Sequence, residues 1–103
     1  MAMPSKKIIN IIVSRYKPEK IILFGSQIKG GADKYSDFDF IIVKKTNDSF
    51  IRRLANFPYL PISADIFIYT PQEFKKMQKD ESIFLSNALK ESKIIYEKSK
   101  GRS

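Results

Sequence analysis

The sequence predicts a protein of the α+β class, α/β-like in its alternation, with three to four short strands flanked by helices. Three observations predict it. Apolar residues recur at three- and four-residue intervals over 6–16, which is helical spacing. Compact runs of β-branched, aromatic and aliphatic residues at 20–24, 38–43 and 62–69 are too short for ordinary helices and have the composition of strands. Directly behind the last run, Thr70-Pro71-Gln72-Glu73 is a capping box with proline at the first helical position.

Ser5 is the expected N-cap of the first helix, over residues 6–16, whose apolar stripe is Ile8, Ile9, Ile12, Val13 and Tyr16 and which Pro18 stops. Residues 20–24 read as a buried strand. Gly25-Ser26 then turns the chain into a short helical segment that cannot pass Gly30-Gly31. The second strand, over 38–43, is apolar enough to predict cover on both faces. Asn47-Asp48-Ser49 marks a loop and cap, and a short helix over 50–56 is expected to turn Ile51, Leu54, Ala55 and Phe57 inward before Pro58 ends it. Pro61 permits a third strand just after it, over 62–69. A helix from Pro71 to near Asp80 follows, then a helical face of Phe84, Leu85, Ala88 and Leu89, and Ile94-Ile95-Tyr96 as a short final strand. Polar residues 98–103 are expected to fray. Without a repeat, linker or low-complexity block, the chain reads as a single domain over 1–103.

Composition narrows the chemistry. A domain this small buries only roughly 60–70% of its unfolded surface, so modest stability or help from a partner is expected. The absence of cysteine removes disulfides, thiolate nucleophiles and Cys-based zinc sites, and the absence of histidine removes Ser-His triads, imidazole bases and His metal ligands. Carboxylates, hydroxyls, Lys, Arg and backbone remain. No apolar run approaches the length of a membrane span and the N-terminus does not resemble a signal peptide, so a cytoplasmic protein is expected. The net charge of +8 favours polyanionic partners, namely nucleotides, nucleic acid or an acidic protein surface, or else reflects a Lys- and Ile-rich genome.

The most informative stretch is 25–39, GSQIKGGADKYSDFD. Alternate side chains of a strand share a face, so Asp37 and Asp39 would present two carboxylates side by side. Adjacent anions call for a cation, and oxygen ligands suit Mg²⁺, which takes a few carboxylates together with substrate phosphate oxygens. The Gly25-Ser26 turn follows Ile21-Ile22-Leu23-Phe24 and could aim backbone N–H groups at such phosphates. Farther on, Asp65 begins the apolar run Asp65-Ile66-Phe67-Ile68, where a charge is costly unless it is paired or binds metal. Each feature alone has a plainer reading: a common turn, a solvated strand entrance, a carboxylate paired with a lysine. Together they describe a metal-nucleotide site. Of the aromatic residues, Phe24, Phe40, Phe67 and Phe84 fall on apolar faces and read as core, while Tyr35 is either a nucleotide or partner contact or an exposed loop tyrosine.

A Gly-Ser turn, a ten-residue spacer and Asp-Phe-Asp inside an apolar strand resemble the signature of the polymerase-β-type nucleotidyltransferase superfamily. Within it, Gly25-Ser26, Lys29, Asp37-x-Asp39 and Ile41-Ile42-Val43 look most like the minimal nucleotidyltransferases (MNT), antitoxin partners of HEPN toxins. The family more often carries Arg at the position of Lys29; Lys supplies a point charge without the bidentate grip. The resemblance implies the nucleotidyltransferase fold, a small mixed β-sheet of three to four strands flanked by helices. It implies that Asp37, Asp39 and Asp65 bind two Mg²⁺ ions and carry the catalysis, with Asp65 assisting removal of the acceptor's proton. It implies that Gly25, Ser26 and Lys29 hold the phosphates of the nucleotide substrate, ATP.

The function so implied is Mg-dependent adenylyl transfer to a tyrosine of a cognate HEPN-family toxin protein, with this chain as the antitoxin. The chain is too short to include the recognition domain that larger relatives append, which suits an acceptor on a separate protein. A different expectation keeps the fold and makes the chain a catalytically silent antitoxin that neutralises its partner by covering it. A small nucleic-acid-binding module, suggested by the charge alone, ranks last, because no helix gathers Lys and Arg on one face.

Overall fold

The computed structural model describes residues 3–24, 38–80 and 92–98. Along them the order is α1 (Lys6–Tyr16), β1 (Lys20–Phe24), β2 (Phe38–Val43), α2 (Phe50–Asn56), β3 (Ala64–Tyr69), α3 (Pro71–Lys79) and β4 (Ser92–Glu97). The four strands form one mixed sheet in the order β3-β2-β1-β4. β1 runs antiparallel to both β2 and β4, while β2 and β3 are parallel. This is the α+β architecture expected from the sequence, a small mixed sheet flanked by helices.

Local chemistry sets the ends of the helices. The Ser5 hydroxyl accepts the Ile8 N–H at 3.3 Å and starts α1. One residue before Pro18, Lys17 turns left-handed at φ 55° and donates its N–H to the carbonyls of Ile12 and Val13. At α3 the capping box is complete: Thr70 Oγ1 accepts the Glu73 N–H at 3.1 Å and Glu73 Oε1 accepts the Thr70 N–H at 2.9 Å. The helix ends at Lys79, with Asp80 as its C-cap.

β1 and β2 occupy the middle of the sheet and are apolar on both faces, which is why neither alternates in sequence. One face presents Ile21, Leu23, Phe40, Ile42 and Ile68 to Ile8, Ile12 and Tyr16 of α1 and to Leu60. The opposite face presents Ile22, Phe24, Ile41 and Val43 to Phe74 of α3, with Phe67, Tyr69 and Met77 packed around them. The expectation that both faces of the second strand are covered is met. β3 begins two residues later than the apolar run suggests, at Ala64, because Leu60 and Ile62 join the α1 side of the core without entering the ladder. β4 is longer than its apolar centre, extending from Ser92 to Glu97.

α2 corrects the sequence reading. Its buried residue is Arg53, whereas Ile51 is 80% and Leu54 45% exposed and Ala55 also faces out. Burying such a side chain is worth roughly 1.5–3 kcal/mol, so this helix forgoes that gain twice. Polar bonds hold it instead. Arg53 donates from Nε to the Asp48 carbonyl at 3.0 Å and from a terminal nitrogen to the Ile68 carbonyl at 3.2 Å, and it grips Glu73 of α3 bidentately at 2.7 and 3.0 Å. Phe57 does turn inward as expected, edge-on to Tyr16 with ring centroids 5.2 Å apart.

Candidate active site

Register brings two of the candidate carboxylates together. In the parallel ladder Asp39 of β2 is the partner of Asp65 of β3, and in the antiparallel ladder Asp39 is the partner of Phe24, the last residue of β1. In-register neighbours on adjacent strands project to the same face, and adjacent strands lie about 4.8 Å apart. Asp39 and Asp65 therefore stand side by side on the α3 face of the sheet, the face of Ile22, Ile41 and Phe67. They differ in environment. Asp39 is 1% exposed, while Asp65, on the outer strand, is open to solvent.

The sequence explains this placement. β2 alternates Asp39, Ile41 and Val43 on one face with Phe38, Phe40 and Ile42 on the other, so the carboxylate shares the face of two core aliphatics. β3 repeats the pattern with Asp65, Phe67 and Tyr69. Both acidic residues fall near the strand starts, next to the end of β1 where residue 25 follows.

Gly25, Ser26, Lys29, Tyr35 and Asp37 lie outside the described residues, as do the expected helical face at 84–89 and residues 99–103. Among the described residues no group of three or more acidic side chains converges on one point. The pair at Asp39 and Asp65 still suits a divalent cation in its chemistry. Two hard oxygen donors on neighbouring strands, one solvent-open and one enclosed, match Mg²⁺, which completes its shell with water and phosphate oxygens.

Arg53 and Glu73 are engaged with each other. The hydrogen bonds from Arg53 hold the Glu73 carboxyl below the ordinary glutamate range against the opposing effect of burial, and the same bonds raise the guanidinium further. Burial, and then Glu73, lift the Tyr69 phenol, and burial leads the same effect at Tyr16. Arg53 is the polar residue that sequence reasoning missed. A seven-residue helix shows fewer than two full turns, and its apolar residues pointed to the wrong face. The partner capping-box glutamate was visible, but nothing local linked it to an arginine twenty positions earlier.

Two grooves of the described surface lie away from Asp39 and Asp65, neither of which lines them. One of about 340 Å³ lies between α2 and α3 and is lined by Phe50, Tyr69, Glu73, Lys76, Met77 and Asp80. The other, of about 330 Å³, is lined by Lys45, Thr46, Asn47 and Gln72. Among the described residues no helix is long and apolar enough to cross a membrane.

The family model described as Polymerase beta, Nucleotidyltransferase matches residues 6–101, nearly the whole chain. No curated protein and no solved structure matches significantly.

Proposed function

Because the chain belongs to the polymerase beta nucleotidyltransferase family, a nucleotidyl-transfer activity follows, and we propose that it moves AMP from ATP to a hydroxyl of a partner protein. The acceptor in this proposal is a tyrosine of a cognate HEPN-family toxin, with this chain as a cytoplasmic antitoxin. The family generally works on nucleoside triphosphates with a divalent metal. The observation that carries the proposal is the pairing of Asp39 with Asp65 across the parallel ladder, with Asp39 also the ladder partner of Phe24, the residue that precedes Gly25-Ser26 in sequence.

The roles divide by environment. Asp39, enclosed by the sheet, keeps a fixed carboxylate position and would hold the metal together with Asp37, two residues before it in sequence. Asp65, exposed on the outer strand, would help hold the metal and would take the proton from the acceptor hydroxyl. The freed oxygen forms a bond to the α-phosphorus of ATP, the bond from that phosphorus to the β-bridging oxygen breaks, and pyrophosphate leaves. Gly25, Ser26 and Lys29 bind the β- and γ-phosphates through backbone N–H groups, a hydroxyl and an ammonium. Bound Mg²⁺ supplies charge stabilisation to the phosphates during this transfer.

The test uses the purified chain, ATP labelled at the α-phosphate, MgCl₂ and a neighbouring gene's product that carries the HEPN Arg-x₄–₆-His motif. Label is expected on a tyrosine of that protein. Asp39→Asn and Asp65→Asn should each lower the rate by about a hundredfold or more. Failure to transfer label with metal in excess, while the two proteins still form a complex, would replace the catalyst with an antitoxin that acts by covering its partner.

A further inference from the structure

We propose that the outer face of α2, together with the groove beside it, is a docking surface for a protein segment that carries an apolar anchor flanked by acidic residues. The starting observation is the inverted helix. Phe50, Ile51, Leu54 and Ala55 form one stripe at helical spacing, and all four face outward while Arg53 occupies the buried position. A helix that turned the other way would bury the stripe against the sheet. Its orientation is instead fixed by four hydrogen bonds from a single guanidinium, which leaves an apolar surface that this chain itself does not cover among the described residues.

The stripe continues into a cavity. Phe50 is both part of the stripe and a wall of the 340 Å³ groove, where it meets Tyr69 at 6.3 Å between ring centroids and lies beside Met77. That volume suits one large side chain, and two aromatic rings with a thioether form an adaptable apolar wall. Charges beside the stripe and the groove set the preference of this surface. Its acidic groups are already engaged, Glu73 by Arg53 and Asp80 by Lys76 at 3.0 Å. Arg52, which neighbours Ala55 on the helix, and Lys79, which neighbours Lys76, are exposed and make no ion pair among the described residues. An acidic flank on the occupant complements them, and the chain's net charge of +8 opposes a second copy in the same place.

This surface stands apart from the candidate site. Tyr69 is four residues along β3 from Asp65, about 13 Å at the strand rise. The proposal therefore does not depend on the nucleotidyl-transfer reading, and an occupant here leaves the carboxylates accessible.

The test pans a random peptide library, displayed on phage, against the full chain, and measures the selected peptides as fluorescent synthetic copies by anisotropy. The expected consensus places one or two large apolar residues between Asp or Glu residues, with affinity that falls as salt rises. Ile51→Asp or Leu54→Asp should weaken binding about tenfold or more, and Arg52→Glu should weaken it less. Ile51→Ser and Leu54→Ser repeat the test without added charge, and circular dichroism confirms that each variant is folded. Asp65→Asn should keep peptide binding, so this proposal and the catalytic one fail separately. Peptides without acidic residues, or peptides indifferent to the α2 substitutions, overturn the proposal. So does a dimer seen by sedimentation that Leu54→Asp dissociates, or a labelled single-stranded oligonucleotide that binds the same face in place of the peptides.

Discussion

Arg53 ties three parts of the chain through one guanidinium: the loop before α2 at the Asp48 carbonyl, β3 at the Ile68 carbonyl and α3 at Glu73. Two of its acceptors are backbone carbonyls, so replacing the side chain does more than remove an ion pair. Arg53→Met keeps comparable bulk but leaves those carbonyls without their donor, and should destabilise the fold by about 2–3 kcal/mol in urea denaturation. The bond to Glu73 adds a pH dependence with a definite sign. Because the folded carboxyl titrates below its ordinary range, its contribution is complete above the unfolded value of roughly 4.3 and declines as pH falls through the lower folded value. The difference in stability between the native chain and Glu73→Gln should therefore be constant from neutral pH down to about 5 and shrink as the pH falls further, through the lowered folded value. A difference that persists at low pH would mean that the neutral hydrogen bond, without the charge, does the holding. Arg53 itself stays charged throughout this window, so the change belongs to Glu73 alone.

At the scale of elements, α1 ends by a device that a different residue would perform better. Lys17 holds φ 55° to donate to the carbonyls of Ile12 and Val13, a conformation in which a Cβ crowds the backbone. Lys17→Gly should raise stability by up to about 1 kcal/mol, partly offset by the freer unfolded chain, and a loss of stability would show that the lysine side chain contributes more than its backbone costs. Elements such as α1, β1, β2 and the start of α3 were legible because their signals are local: a four-residue apolar repeat, unbroken apolar runs, a capping box. The face of α2 was not, because Arg53 gains its place through acceptors on β3 and α3 that no window around residue 53 contains. The same distinction holds at the candidate site. Alternation and a carboxylate in an apolar run single out Asp39 and Asp65, but strand order and register depend on pairings between distant segments, so their adjacency appears only in the sheet.

On the scale of the whole molecule, the sheet gathers negative charge at one place in a chain that is otherwise basic. Asp39 and Asp65 sit side by side at the starts of β2 and β3, while the net charge of +8 creates a field that draws anions such as ATP toward the protein. A carboxylate pair alone would repel a triphosphate, so nucleotide and metal should bind as a unit rather than independently. Any ligand that binds only the folded state stabilises it, by about 2.7 kcal/mol at a hundred times its dissociation constant. For a chain of this length each kcal/mol moves the melting temperature by about 4–8 °C. ATP with Mg²⁺ at that excess should therefore raise Tm by on the order of 10 °C, ATP with EDTA should leave most of that shift unrealised, and Mg²⁺ alone should give a smaller one. Asp65→Asn, at an exposed position whose replacement spares the core, should abolish the metal-dependent part of the shift, measured against that variant's own unliganded Tm. Equal shifts in the native and Asp65→Asn chains would place the metal away from the β2–β3 pair and remove the physical basis for assigning catalysis to it.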